Sequence, residues 1–88
     1  MREAVGTIET RSLIGAIAAA DAMLKAAKVE IADFRVVGSG LVAVIVRGDV
    51  AAVQTAVDSG SSLAKQLCEV ISASVIARPH DEMDKLMA

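Results

Sequence analysis

The sequence predicts an α+β fold: a four-stranded antiparallel sheet with two helices packed on one of its faces. Three observations predict it. Strand-type and helix-type runs follow one another in the order strand, helix, strand, strand, helix, strand. The tight stretch Gly38-Ser39-Gly40 joins the two middle strands as a hairpin. The strand after it, Leu41 to Arg47, is apolar on both faces, with Val42, Val44 and Val46 pointing one way and Leu41, Ala43 and Ile45 the other. A strand of this kind has to be covered on both sides.

Glu3 to Glu9 reads as the first strand, with Ala4, Gly6 and Ile8 forming an apolar set and Val5, Thr7 and Glu9 facing the other way. Ser12 is placed to cap a helix from Leu13 to Ala27, whose alanine content favours helix and whose stripe Leu13, Ile17, Ala20 and Leu24 recurs at helical spacing. Asp21, Lys25 and Lys28 fall on the polar side, and Asp21 and Lys25 stand four residues apart as an exposed pair. Glu30 to Val37 is the second strand. Gly48-Asp49 stops the third, and Asp49 caps a second helix with the stripe Val50, Val53, Val57, Gly60, Ala64 and Leu67. Gly60 on that stripe signals close packing against the sheet. Cys68 is expected buried at the start of the fourth strand, Glu69 to Arg78, which Pro79 ends; His80 to Ala88 is an amphipathic tail read as a short helix. This order is the split βαβ, or ferredoxin-like, plan, which leaves the second face of the sheet bare.

Composition narrows the function classes. The chain has 88 residues, enough for one domain over 1–88. It is 55% hydrophobic with Phe34 as the sole aromatic, so alanine and valine build a core of small area per residue, and association between subunits is the natural remedy. Mean hydropathy is +0.56, yet the longest charge-free run, Val36 to Val46, is far short of the ~20 residues a spanning helix needs. No membrane role is expected, and the N-terminal residues show no leader pattern, so the expected address is cytoplasmic. Nine basic and eleven acidic residues without a basic cluster argue against nucleic acid. One cysteine excludes a disulfide within a subunit.

Catalytic means are sparse: one histidine, one cysteine, no tyrosine and no tryptophan. His80 has no partner at metal-ligand spacing, and the strand between Cys68 and His80 holds them apart, so neither a metal site, a cofactor nor a thiol dyad is expected. Gly38-Ser39-Gly40 precedes a strand rather than a helix and reads as a hairpin turn, not a phosphate cradle. On these grounds alone the chain is a small oligomeric domain with a binding or structural role.

Longer ordered stretches add a resemblance. Val5-Gly6-Thr7-Ile8-Glu9-Thr10-Arg11, Ala19-Ala20-Asp21-Ala22-Met23-Leu24-Lys25-Ala26-Ala27, Val37-Gly38-Ser39-Gly40-Leu41-Val42, Val46-Arg47-Gly48-Asp49-Val50 and Arg78-Pro79-His80 run nearly end to end. Together they resemble the bacterial microcompartment shell proteins of the single-BMC-domain, hexamer-forming type. The resemblance implies cyclic homohexamers that tile with adjacent hexamers and other shell proteins into a sheet around encapsulated enzymes, with no enzymatic activity in the sheet itself. It implies that Gly38, Ser39 and Gly40 line a central pore for small polar metabolites. It implies that Lys25, oriented by Asp21, and Arg78, shaped by Pro79 and His80, make the contacts between hexamer edges. Ser12 stands where a glycine is usual in the family and Ala77 where many relatives have proline. Leu41 after the turn resembles the shells of catabolic compartments (propanediol, ethanolamine or choline utilisation) more than those of carboxysomes.

Two other classes compete. A ferredoxin-like oligomeric regulatory module would bind a small metabolite between subunits through the same glycine turn and would never tile. A small hydrolase would depend on His80 or Cys68.

Overall fold

A computed structural model describes residues 3–78 of the chain. They form β1 (Glu3–Thr10), α1 (Leu13–Ala26), β2 (Glu30–Val36), β3 (Val42–Asp49), α2 (Val50–Leu67) and β4 (Val70–Arg78), with a single 3-10 turn at Gly38–Gly40. The element order is the one predicted, with ends shifted by a residue or two. The strand order is β2-β3-β1-β4 and every neighbouring pair is antiparallel, which is the ferredoxin-like arrangement. The expected C-terminal helix, and Pro79 and His80 with it, lie outside the described residues.

Alternation along β1 decides which face is the core. Ala4, Gly6, Ile8 and Thr10 are buried, and across the register Gly6 meets Val46, Ile8 meets Val44 and Thr10 meets Val42, all buried on the same face. Onto that face pack Ala16, Ala19 and Met23 of α1 and Val53, Ala56, Val57 and Ala64 of α2. Four of these seven are alanines, so the helices approach the sheet and each other closely, and each buried side chain removes little area from water.

Both helices begin at side-chain caps. The Gly15 amide donates to Ser12 Oγ at 3.0 Å, and the Ala51 amide donates to Asp49 Oδ2 at 3.2 Å. Thr10, fully buried at the end of β1, donates its hydroxyl to the Ser12 carbonyl at 2.7 Å and accepts from the Ser12 amide at 3.2 Å, which fixes the turn from strand into α1.

Three expectations need correction. The stripe Leu13, Ile17, Ala20 and Leu24 is not the buried face of α1: Leu13, Ile17 and Leu24 are 50%, 55% and 48% exposed, and the buried set is Gly15, Ala16, Ala19 and Met23. Hydropathy favoured the bulkier stripe, whereas the space beneath the helix admits only small residues and one flexible methionine. Leu67, assigned to the buried stripe of α2, is the last residue of that helix and is 56% exposed, while Val53, Val57, Gly60 and Ala64 are buried as expected. Cys68 is half-buried at the C-terminal end of α2, where its amide donates to the Ala64 carbonyl at 2.9 Å and its thiol lies against Gly15.

Candidate functional site

Register places the residues of interest at two opposite ends of the sheet. Val36 pairs with Val42, Val42 with Thr10 and Thr10 with Val70, so the Gly38–Gly40 turn projects from the end those residues share. At the other end Glu30 pairs with Arg47, Asp49 with Glu3 and Glu3 with Arg78. Seven residue steps along β1 separate the two ends, about 24 Å of strand. α1 starts near the turn end, after Thr10, and runs toward the far end. Asp21 and Lys25 lie in its second half, and Lys28 follows it. The predicted pore residues and the predicted edge residues Lys25 and Arg78 are thus held apart, at the two tips of one body whose extents are 39 × 27 × 15 Å.

At the turn tip every residue from Val36 to Gly40 is exposed. The Val37 amide donates to the Leu41 carbonyl at 2.7 Å and closes the loop. Ser39 (φ 70°) and Gly40 (φ 78°) both adopt left-handed backbone, which glycine tolerates and serine adopts at some cost. Gly38 is different: its φ is not positive, and a Cβ built there would meet nothing within 4 Å. Nothing inside the subunit requires glycine at 38.

At the far tip Lys25 Nζ lies 2.9 Å from Asp21 Oδ2, with both side chains exposed. The acid precedes the base by one turn and the base sits in the last turn of α1, the favourable orientation toward the helix dipole. The residues at the sheet end line an open cleft of about 650 Å³, formed by Glu3, Lys28, Val29, Glu30, Arg47, Gly48, Asp49 and Ala52. Arg47 Nε lies 3.3 Å from Oε2 of Glu30, its neighbour across the β2–β3 pair. Sequence reading did not single out this cleft, because it is formed by three chain segments that only the register brings together.

Two apolar flanks complete the surface. α1 reaches toward β2, at one edge of the sheet, and α2 toward β4, at the other. On the first flank Leu13, Ile14, Ile17, Leu24, Phe34 and Val36 are exposed, Ile14 and Val36 by about three-quarters (76% and 73%); on the second, Leu63, Leu67 and Ile71 are exposed. The β2 edge is guarded by charge: Arg35 donates to Asp33 Oδ2 and the Phe34 amide to Asp33 Oδ1 at 2.8 Å, which hold the Asp33 carboxyl below its ordinary value. Among the described residues no group of three His, Cys, Asp or Glu is placed to hold a metal ion, and no helix is long and apolar enough to cross a membrane.

A ferredoxin-like body with an exposed polar turn at one tip, a charged cleft at the other and apolar flanks on both edges defines a small α+β module of structural type. Residues 4–79 match the BMC domain, and the chain belongs to that family. It is 49% identical to the bacterial microcompartment shell protein PduA of Citrobacter freundii, covering 98% of this chain and 92% of the relative. It is 45% identical to the bacterial microcompartment shell protein EutM of Escherichia coli, covering 96% and 87%, and 48% identical to the carboxysome shell protein CcmK2 of Thermosynechococcus vestitus, covering 96% and 84%. Among solved structures it is similar to a microcompartment protein from Desulfitobacterium hafniense, with a TM-score of 0.77 and 39% identity over 84% of this chain; the chain spans 40% of the length of that one.

Proposed function

We propose that the chain is a structural protein of a bacterial microcompartment shell, not an enzyme: one wedge of a cyclic homohexamer that tiles with its neighbours and with other shell proteins. Family membership supports the shell role, and so do the names of the relatives. The assembly reading rests on one observation, the separation of Gly38–Gly40 and Lys25/Arg78 to opposite tips of a body with an apolar flank on each edge.

Two different flanks on opposite edges favour head-to-tail contact, in which the α1/β2 flank of one subunit covers the α2/β4 flank of the next. Contact of this heterologous kind closes into a ring when the rotation between neighbours divides a full turn. Closure at six gathers six turn tips on the axis and turns six charged tips outward. Around the axis Gly38, Ser39 and Gly40 line a pore, with Ser39 hydroxyls and backbone amides facing small polar metabolites on their way to the enclosed enzymes. The glycine at 38, which nothing in one subunit requires, leaves the opening on the axis wide. At the rim Lys25, held by Asp21, and Arg78 make the contacts between rings, with Pro79 and His80 beside them. Lysine suits this through a long stem and three donors.

The whole chain then acts as one shell unit, and its place in the cell is the shell of the compartment. Leu41 favours a catabolic compartment, a reading that rests on that residue, since the microcompartment shell protein PduA and the carboxysome shell protein CcmK2 stand at 49% and 48% identity.

Native mass spectrometry together with negative-stain imaging tests the proposal. The expected result is a hexamer at low concentration and flat sheets or tubes of rings at higher concentration. A monomer or dimer at every concentration would overturn it, and a discrete oligomer that binds a metabolite and never tiles would favour the regulatory module.

A further inference from the structure

The two edges of the sheet are guarded unequally. β2, at one edge, carries Glu30, Asp33 and Arg35, the kind of charge that keeps an open edge from pairing with another chain. β4, at the other edge, has neither a charged residue nor a proline between Glu69 and Arg78, and among the described residues no strand pairs with its outer side. An edge of this kind offers a row of unpaired amides and carbonyls to any strand of matching shape.

The sequence of β4 says which strand matches. Ile71-Ser72-Ala73-Ser74-Val75 reads almost the same in both directions, with Ala73 at the centre, a serine on each side and a β-branched residue beyond each serine. Two copies laid antiparallel across a two-fold axis at Ala73 set Ala73 against Ala73, each Ser72 against a Ser74 and each Ile71 against a Val75. The side chains suit that register. Ser72 Oγ donates to Glu9 Oε1 at 2.8 Å, so its oxygen keeps a lone pair with which to accept from the exposed Ser74 hydroxyl of the other copy. Ile71 and Val75 are of the shape that packs well on a pleated surface. Ile71 is 40% exposed, and the exposed Leu63 and Leu67 continue the apolar surface onto α2.

We propose that the β4 edge is a self-pairing surface, through which two free subunits join antiparallel about Ala73. The pairing goes beyond the ring reading and excludes it locally, because the ring covers the α2/β4 flank with the α1/β2 flank of a neighbour. Ring closure therefore protects β4, and the subunit that pairs is the one outside a ring. The contact is also weak. The β1–β4 register shifts between Glu9 and Thr10, where Ile71 is the extra residue, and an irregularity of this kind confines regular pairing to the few residues around Ala73. The product is a transient dimer that competes with assembly, not a resting state.

Refolding the full chain from urea starts every molecule outside a ring, so position-specific cross-linking during refolding tests the pairing. Ala73→Cys and Ser72→Cys are each refolded with an oxidant, and disulfide-linked dimer is read on a non-reducing gel above the level that Cys68 gives in the unaltered chain. Only position 73 meets its own copy, at the ~4.5–5.5 Å between Cα atoms that a disulfide spans. Position 72 faces 74, and its own copy lies roughly 8 Å away, too far to be bridged. Ala73→Cys is expected to give at least about tenfold more linked dimer than Ser72→Cys. Adding Ser74→Lys sets like charges near the axis and is expected to cut that yield several-fold, with the fold retained by far-UV circular dichroism. Equal yields from positions 72 and 73, or a yield from Ala73→Cys that the lysine leaves unchanged, overturn the pairing. Rings of the unaltered chain are counted separately by native mass spectrometry: their loss overturns the ring reading, while the cross-linking decides the pairing by itself.

Discussion

Gly60 of α2 lies so close to Met23 of α1 that a Cβ at position 60 would stand 2.6 Å from the Met23 Cγ, with Ile8 Cδ1 at 2.9 Å and the Ala19 carbonyl oxygen at 3.1 Å. The glycine lets two helices and a strand meet at one point. Gly60→Ala gains about 1 kcal/mol of helix propensity, but it forces Met23 and Ile8 to move and presses on a backbone carbonyl that cannot, a cost of about 1–3 kcal/mol. The net expectation is a loss of up to about 2 kcal/mol, read as a lower urea midpoint with an unchanged slope. A midpoint equal to or above that of the unaltered chain would show that the helix pair has room to relax.

At the start of α1, Ser12 Oγ accepts from the Gly15 amide at 3.0 Å. Ser12→Ala should cost about 1 kcal/mol and Ser12→Gly only roughly 0.3 kcal/mol. Thermal unfolding of the two variants side by side measures the difference. Equal losses would mean that the Thr10 hydroxyl, bonded to the backbone of residue 12, holds the turn without help from the cap.

These two positions also show what the sequence discloses and what it hides. Capping is local chemistry, so Ser12 and Asp49 announce both helix starts, and the β1 alternation Ala4, Gly6, Ile8 names its own buried face. Gly60 signals close packing because a glycine on the apolar stripe of a long helix needs a reason. The face of α1 is hidden. Its bulkiest stripe, Leu13, Ile17 and Leu24, would fill the core of a lone subunit, whereas the chain buries alanines there and leaves the large residues exposed. Periodicity finds an apolar stripe, but it does not say whether the partner is the same chain. The cleft at the charged tip is hidden for another reason: Glu3, Lys28 and Gly48 are far apart in sequence and become neighbours only through the β1–β3 and β2–β3 registers. The glycine turn was legible as a hairpin. The pore role proposed for it depends on symmetry, which one copy does not display.

If the α1/β2 flank is half of the ring contact, Ile17→Asp should separate folding from assembly. Ile17 is 55% exposed and outside the core, so a charge there leaves the subunit folded, at a cost of less than about 1 kcal/mol. In the ring the same charge is desolvated without a partner, which costs several-fold more and should yield monomers. Sedimentation velocity reads the loss of the ring, and far-UV circular dichroism confirms the retained fold. Rings that survive the aspartate would remove the α1 stripe from the subunit contact.

The Lys25–Asp21 pair makes an opposite test, in which stability is silent and assembly speaks. Both side chains are more than half exposed, at 76% and 62%, so Lys25→Ala should change subunit stability by no more than about 0.5 kcal/mol. Rings should persist, whereas sheets seen by electron microscopy should be lost. Sheets as abundant as in the unaltered chain would move the lateral contact away from α1.

The two glycines of the turn should respond differently to a side chain. Gly40 has φ 78°, so Gly40→Ala strains the backbone and should cost about 1 kcal/mol whether or not the ring forms. Gly38 has no positive φ and open space where a Cβ would stand, so Gly38→Leu should leave the subunit as stable as before within about 0.5 kcal/mol. In a ring six leucines would crowd the axis with apolar bulk where serine hydroxyls and backbone amides stood. Passage of a small polar solute across assembled shells should then fall at least several-fold, with hexamer mass and melting temperature unchanged. Unaltered passage through shells built from Gly38→Leu would place the route for metabolites somewhere other than the turn.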